Sequence, residues 1–362
     1  MNTDVNVCEM DKREALKRLL IMVAAEFLIA AFLVWFFDPF YQYHVPFFGM
    51  DVVLNDRDNQ MPGTIRNFQY DSVLVGSSLA ENFDSSYLDC AYGCSTLKII
   101  RASGSVADLL YYLEQAQERQ KLKNIFWSLD ISSLAAPLEV SLNRETAPWY
   151  LHTGTILDDL PYLYNKEILL EKIPSMLAYA HEGINTGGQA YNWARGKMFC
   201  ASQATRAYDR GGIVLEGEPE PVDFTGKLDV ITQNVDLLRN QAASHPDTVF
   251  RFLVPPLSMM WWDCAYVNGE LEERIYILDR AVSALLPFEN VEIYYFQNED
   301  WIVCNLDNYM DMVHYRPEIN QYMLERMAVG ENRVTGENWA DTLWELRRLA
   351  QRISMEEIFK YY

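Results

Sequence analysis

Positive charge is scarce in this chain. Lysine and arginine number 30 against 51 aspartates and glutamates, for a formal net charge of −21 at pH 7. Such a surface repels the phosphates of nucleic acid, so nucleic-acid binding is excluded as a function class. It suits a domain facing solvent, or a partner that brings its own cations. Metal-type cysteine spacing is also missing. Of the six cysteines (Cys8, Cys90, Cys94, Cys200, Cys264, Cys304) only Cys90 and Cys94 are close in sequence. Spacing does not establish a disulfide between them, and buried or free thiols are the expectation for most of the six. No internal repeat and no low-complexity tract interrupts the chain. At 362 residues, half of them hydrophobic, it has room for one large domain or two modest ones plus appendages.

Lysine and arginine are absent from residues 19–56, and the gap opens on an apolar run over residues 19–37. That run has the length needed to cross a bilayer as a helix. Lys12, Arg13, Lys17 and Arg18 precede it, and Trp35, Phe36, Phe37, Phe40, Tyr41 and Tyr43 mark its far end as an interfacial belt does. The cation bias predicts residues 1–18 in the cytoplasm and the remainder outside. A cleavable signal peptide is the competing reading. It calls for a shorter apolar core and a small-x-small site, where Asp38-Pro39-Phe40-Tyr41 stands instead, so an uncleaved anchor is favoured. Glu26 lies inside the span. A carboxylate there costs about 2.5–3.5 kcal/mol on insertion scales, which predicts a neutral acid or a contact with a polar group of a membrane partner.

Residues 38–70 show little periodicity, and Asn55 to Gln60 with Pro62-Gly63 reads as turns. An alternation of strands and helices then begins. Strands are predicted over residues 73–75, 97–100, 124–130, 248–254 and 291–296, and helices over 106–120, 228–243 and 271–286. Alternation of this kind builds βαβ units around a parallel sheet. Residues 136–230 fit no such pattern and read as an insertion, a lid or cleft wall with a Gly/Glu/Pro turn over 211–221. A helical tail is predicted over 331–362.

Two stretches carry chemistry. The first strand runs into Gly76-Ser77-Ser78-Leu79, which places a hydroxyl at the carboxyl edge of the sheet, where ligands bind in open α/β folds. A Gly-Ser turn that merely caps a helix is the alternative. Beyond the strand predicted at 291–296, Asp311-Met312-Val313-His314 sets an acid three residues before an imidazole. On a helical turn the two share a face, so the acid orients the ring. His44, His152, His181 and His245 have no comparable acid nearby. A serine delivered by the fold would complete an acyl-transfer triad.

With these motifs the chain resembles the SGNH/GDSL hydrolase superfamily over about residues 71–324. The likeness is nearest to its membrane-anchored branch, which includes the D-alanyl-lipoteichoic acid biosynthesis protein and alginate O-acetylation proteins. The resemblance implies a three-layer αβα sandwich with a central, mostly parallel sheet, the flavodoxin-like SGNH hydrolase fold, over residues 71–330, preceded by one transmembrane helix. It aligns Ser78 with the nucleophile, with Ser77 in place of the family's aspartate and as the alternative nucleophile. His314 is implied as the base and Asp311 as its orienting acid. Oxyanion donors are implied at Gly104 and at the backbone N–H of Ser78. The family's Gly-x-Asn-Asp loop is not matched, because Ser128-Leu129-Asp130 ends the corresponding strand. An aspartate donates a hydrogen bond only when protonated, and Asn305 or Asn308 is the amide that stands in.

The implied function is a cell-membrane, single-pass, extracytoplasmic serine esterase or O-acyltransferase. It acts on acyl groups of a cell-surface polysaccharide or teichoic-acid-like polymer, without cofactor or metal. Trp127, Trp149, Trp193, Trp261, Trp262 and Trp301 are candidates for stacking on sugars, with core or cleft wall the commoner use of such residues. The alternative is a catalytically eroded partner of an integral membrane O-acyltransferase. A hard-cation site on Asp307, Asp311 and His314 is a third reading, which leaves the Gly-Ser-Ser turn without a role.

Overall fold

The computed structural model describes residues 3–141, 148–184, 186–210 and 217–362. The chain divides into two compact units, one of Met1–Phe68 with Asn143–Asn185 and the other of Gln69–Leu142 with Thr186–Tyr362. The stretch read from sequence as one insertion is therefore split. Residues 143–185 belong to the N-terminal unit, and the rest of 136–230 belongs to the unit that holds the sheet. Most of the turn predicted over 211–221 lies outside the described residues.

In the N-terminal unit a single helix runs Thr3–Phe37. Its segment Lys12–Phe37 is long and apolar enough to span a membrane and is almost wholly unburied. Glu26 is exposed on it. The helix ends on Asp38, whose carboxylate accepts the backbone N–H groups of Gln42 (2.9 Å), Tyr43 (2.7 Å) and His44 (3.0 Å) and the Tyr162 hydroxyl (2.7 Å). Burial pushes the Asp38 carboxyl upward while these donors oppose the shift. Val34, Phe40, Leu151, Tyr162, Ile168 and Ile173 form the small core beside it. The turns expected over Asn55–Gln60 and Pro62-Gly63 are instead one helix, Arg57–Asn67, with Pro62 inside it. Gly63 serves as a point of close approach: a Cβ there would lie 2.2 Å from the Phe40 carbonyl oxygen and 2.4 Å from that of Tyr41. A Pro-Gly pair signals a turn in sequence, but here it lets a helix lie directly on backbone.

The second unit is α/β. Its strands are β1 Ser72–Gly76, β2 Thr96–Ile100, β3 Asn124–Ser128, β4 Val249–Val254, β5 Val291–Tyr295 and β6 Arg333–Val334, in the order β2-β1-β3-β4-β5-β6. The first five are parallel and β6 is antiparallel to β5 through Ile293 and Val334. The predicted last strand is thus followed by one more at the start of the predicted helical tail, whose helix runs Trp339–Met355. Two paired residues carry no periodic signal by which to find it. Every residue of β1 and β3 is buried, as expected of parallel strands covered on both faces. The chain leaves β1 for β2 on one side and later returns to β3 on the other. The sheet therefore reverses its winding between β1 and β3 and opens a crevice at their carboxyl ends.

The three predicted helices are present as Val106–Arg119, Leu228–Ser244 and Leu271–Leu285. The first is opened by a capping box in which Ser105 and Asp108 satisfy each other's backbone N–H. A helix that the sequence pattern did not predict, Met259–Val267, buries Met259, Met260, Trp261 and Trp262. Because it is buried on nearly every side, Asp263 included, it has no stripe for a periodicity argument to detect.

One residue of the sheet violates its surroundings. Lys98, in the middle of β2, is 2 % exposed, and its Nζ donates to the backbone oxygens of Glu81 and Ala190, each at 2.9 Å. Burial lowers its pKa from 10.5 to about 7, against the opposing pull of Asp84 and Glu81. Between those two values the unfolded chain holds a proton that the folded chain has released, so the free energy of unfolding climbs as pH rises across that window. Chemical denaturation followed upward from neutral pH toward the ordinary lysine range is expected to show this climb. Its size is on the order of 5 kcal/mol, because a difference of one proton adds about 1.4 kcal/mol for each pH unit crossed. The component is expected to vanish in Lys98→Met.

Candidate functional site

Gly76 ends β1 and must be glycine for reasons of space. A Cβ there would sit 2.6 Å from the Ala80 Cβ and 2.9 Å from the Ser128 Cβ on β3. The chain does not enter a helix at Ser77, so the Gly-Ser turn is not the helix cap of the alternative reading. It makes a turn through Asn82, and a helix begins only at Ser85, capped by Asp84. The Ala80 N–H donates to the Ser77 oxygen at 2.9 Å. Because a trans peptide sets N–H opposite C=O, the N–H of Ser78 points the other way, and it has no protein partner among the described residues.

The acid and imidazole come from the far end of the sequence. Residues 310–313 form a bent loop rather than a helical turn, closed by a bridge between Tyr309 and Tyr315. The loop is fastened to the exit of β4: Ser258 donates its N–H (3.2 Å) and hydroxyl (2.6 Å) to the Met312 oxygen. The Tyr309 hydroxyl reaches the Pro256 oxygen at 3.2 Å. Asp311 and His314 still meet, because the bend lets Asp311 Oδ1 accept the N–H groups of Val313 (2.9 Å) and His314 (2.8 Å). Asp311 Oδ2 lies 2.7 Å from His314 Nδ1.

Ser78 Oγ lies 2.9 Å from His314 Nε2, across 236 positions of sequence. Two groups just beyond the histidine, the Tyr315 hydroxyl (3.2 Å) and Asn320 Nδ2 (3.3 Å), donate to the Leu79 oxygen and lock the two loops together. The side chains of His314 and Asp311 are about one-quarter exposed, so the line of hydrogen bonds is open to solvent at one side. Burial raises the Asp311 carboxyl, but the ring and backbone donors of His314 and the N–H of Val313 outweigh it and hold the group below the usual range. An ionised Asp311 keeps the proton of the neutral ring on Nδ1 and leaves Nε2 free to accept from Ser78.

The remaining sequence-derived residues are placed less favourably. Gly104 spends its N–H on the Arg101 oxygen at 3.0 Å and is not available as an oxyanion donor. Asn308 gives its amide to the oxygens of Trp301 (3.1 Å) and Ile302 (3.3 Å), and Asn305 uses its side-chain oxygen to cap the Asp307 N–H. Both are loop-building residues. Ser77 donates to Asp130 Oδ2 at 3.3 Å instead of facing the imidazole. Asp130 Oδ1 accepts from the Ser132 N–H at 3.0 Å, and desolvation raises its carboxyl despite these donors and the nearby His314. Asp307 turns to the Ala201 N–H, 2.9 Å away, and not toward Asp311. Among the described residues no three His, Cys, Asp or Glu side chains are grouped to hold a metal ion. Cys90 and Cys94 are free thiols.

The tryptophans divide by use. Trp127, Trp261 and Trp262 are buried, while Trp149 and Trp301 are exposed. Trp193 belongs to the site. Its Nε1 donates to the Ser78 oxygen at 2.9 Å, and its ring meets that of His314 edge-on, with centroids 5.0 Å apart. The sequence offered only its aromaticity, and the structure sets it against an imidazole. Compared with family models, curated proteins and solved structures, the chain matches none of them.

The turn geometry carries a prediction. Gly76→Ala is expected to force β1 away from β3 or to displace Ala80, costing about 1–3 kcal/mol in stability. It should also move Ser78 off His314. The check is a thermal or denaturant midpoint measured beside the rate of serine labelling by a fluorophosphonate.

Proposed function

We propose that this chain is a membrane-anchored serine esterase or O-acyltransferase, of the SGNH hydrolase type and with an αβα sandwich of flavodoxin-like strand order. We propose as its substrates the O-acyl groups of a cell-surface polysaccharide or teichoic-acid-like polymer, with the N-terminus cytoplasmic and the sheet unit outside the cell. The observation that carries the reading is the continuous line Ser78 Oγ, His314 Nε2, His314 Nδ1, Asp311 Oδ2, with links of 2.9 and 2.7 Å. Its position at the carboxyl ends of a parallel sheet, beside the β1–β3 reversal, supports the same reading.

In this chemistry His314 takes the proton of Ser78 as the oxygen attacks an ester carbonyl, then returns it to the departing alcohol. Asp311 holds the ring and stabilises the imidazolium that forms. The outward N–H of Ser78 meets the developing oxyanion. The acyl group on Ser78 then passes to water or to an acceptor hydroxyl, and transfer requires that water be kept out.

The second reading, an eroded partner of an integral membrane O-acyltransferase, draws on a specific observation. Gly104 and Asn308, two of the implied oxyanion donors, are committed to backbone oxygens. One missing donor costs about 2.7–4 kcal/mol of transition-state stabilisation, so the esterase reading predicts slow turnover. A fluorophosphonate probe applied to the full-length protein separates the two. Labelling is expected on Ser78 and should fall by at least about three orders of magnitude in Ser78→Ala and His314→Ala, while persisting in Ser77→Ala. A wild-type protein that does not label, or label that stays in Ser78→Ala, excludes the triad assignment.

A further inference from the structure

The triad makes no use of Lys98, a buried basic group of the sheet unit. Its Nζ hydrogen bonds go to two backbone oxygens, those of Glu81 and Ala190, and to no carboxylate. These oxygens belong to separate pieces of chain. Glu81 is in the nucleophile turn, and its N–H points to the Ser78 oxygen at 3.4 Å. Ala190 opens the segment 190–194, which has neither helix nor strand structure and turns through a positive φ of 61° at Tyr191. That segment carries Trp193, and it touches the nucleophile turn by two further bonds. Trp193 Nε1 donates to the Ser78 oxygen (2.9 Å), and the Ala194 N–H donates to Asn82 Oδ1 (3.3 Å).

A segment without secondary structure has no ladder of its own to hold it in place. A fully buried lysine is costly where a methionine would fill the same space. Here the cost coincides with a definite geometric task, since one side-chain nitrogen draws together two backbone oxygens that regular structure would leave apart. The neutral amine carries two N–H groups and the ammonium three, so both oxygens are served in either protonation state.

We propose that Lys98 is a positioning residue that clamps the strap 190–194 onto the nucleophile turn and so sets Trp193 against the Ser78 carbonyl and the His314 ring. The strap in turn fixes the plane of the Ser78–Leu79 peptide and the tilt of the imidazole, so the reach of Nε2 to Oγ depends on a side chain that touches neither. This inference rests on the reading of Ser78 as nucleophile.

The test uses the full-length protein with a fluorophosphonate probe and, on the same samples, amide hydrogen exchange of residues 190–194. Lys98→Met is expected to lower the maximal labelling rate about tenfold or more with little change in half-saturating probe concentration. It should also speed exchange over 190–194 while β1 and β3 keep their protection. Trp193→Phe is expected to lower labelling similarly, and the double variant to be little slower than either single one, because both act through the same strap. Unchanged exchange in Lys98→Met, or rate losses that add in full, overturns the inference. Lys98→Gln, which keeps a neutral donor on a shorter stem, is the second variant should Lys98→Met fail to fold, and is read by the same measures. If wild type does not label, the functional reading fails by itself, and hydrogen exchange alone decides whether the clamp exists.

Discussion

Holding a hydroxyl and an imidazole 2.9 Å apart when 236 residues separate them requires that both loops be tied to the same rigid edge. The sheet supplies that edge, and the ties are specific. The Leu79 oxygen is held by Tyr315 and Asn320 from the histidine side. The Met312 oxygen is held by Ser258 from the exit of β4. Each bond removes a freedom that would otherwise turn a hydrogen bond into a chance encounter. Gly76 belongs to the same constraint, since only the absence of a Cβ lets β1 lie close enough to β3 for Ser78 to leave at that point.

Two carboxyl groups near the imidazole end with opposite character, and the difference is environmental. Asp311 is met by three donors and held ionised below the ordinary carboxylate range. Asp130, less fully served, is raised by desolvation. An acid that orients a histidine must remain charged to favour the right tautomer. An acid that only receives the Ser77 hydroxyl has no such requirement. The pair thus separates the residue suited to the triad from the one that shapes the turn beside it. The same accounting leaves the donors of Gly104 and Asn308 committed, because a donor already bonded at close to 3 Å to a backbone oxygen would have to give up that bond before serving another group.

The membrane-length helix ends in a comparably defined way. Asp38 gathers three backbone N–H groups and the Tyr162 hydroxyl, so the chain reverses immediately after Phe37. Residues 148–184, remote in sequence, close on that reversal and bury Leu151, Tyr162, Ile168 and Ile173 with Val34 and Phe40. No local pattern announces this association. It depends on which apolar side chains find a shared interior.

Strands β1 to β5, the long helices and the apolar N-terminal span were legible in the sequence, because hydrophobic periodicity and β-branched runs report directly on burial. The Gly-Ser-Ser and Asp-x-x-His motifs were legible as residue types. The two-residue β6, the almost wholly buried helix Met259–Val267 and the helix Arg57–Asn67 were not, since each lacks a stripe or carries a Pro-Gly pair that usually means a turn. Lys98 left a visible trace, a lysine within the apolar run Leu97 to Ile100, but nothing in the run said what it would reach. The amino-acid sequence by itself determined the αβ alternation, the span and the chemical groups available. Only the tertiary structure decided that Ser78 and not Ser77 faces the imidazole, that Gly104 and Asn308 serve the backbone, and that Trp193 joins the site. Those outcomes turn on direction and distance between remote residues, which no local pattern encodes.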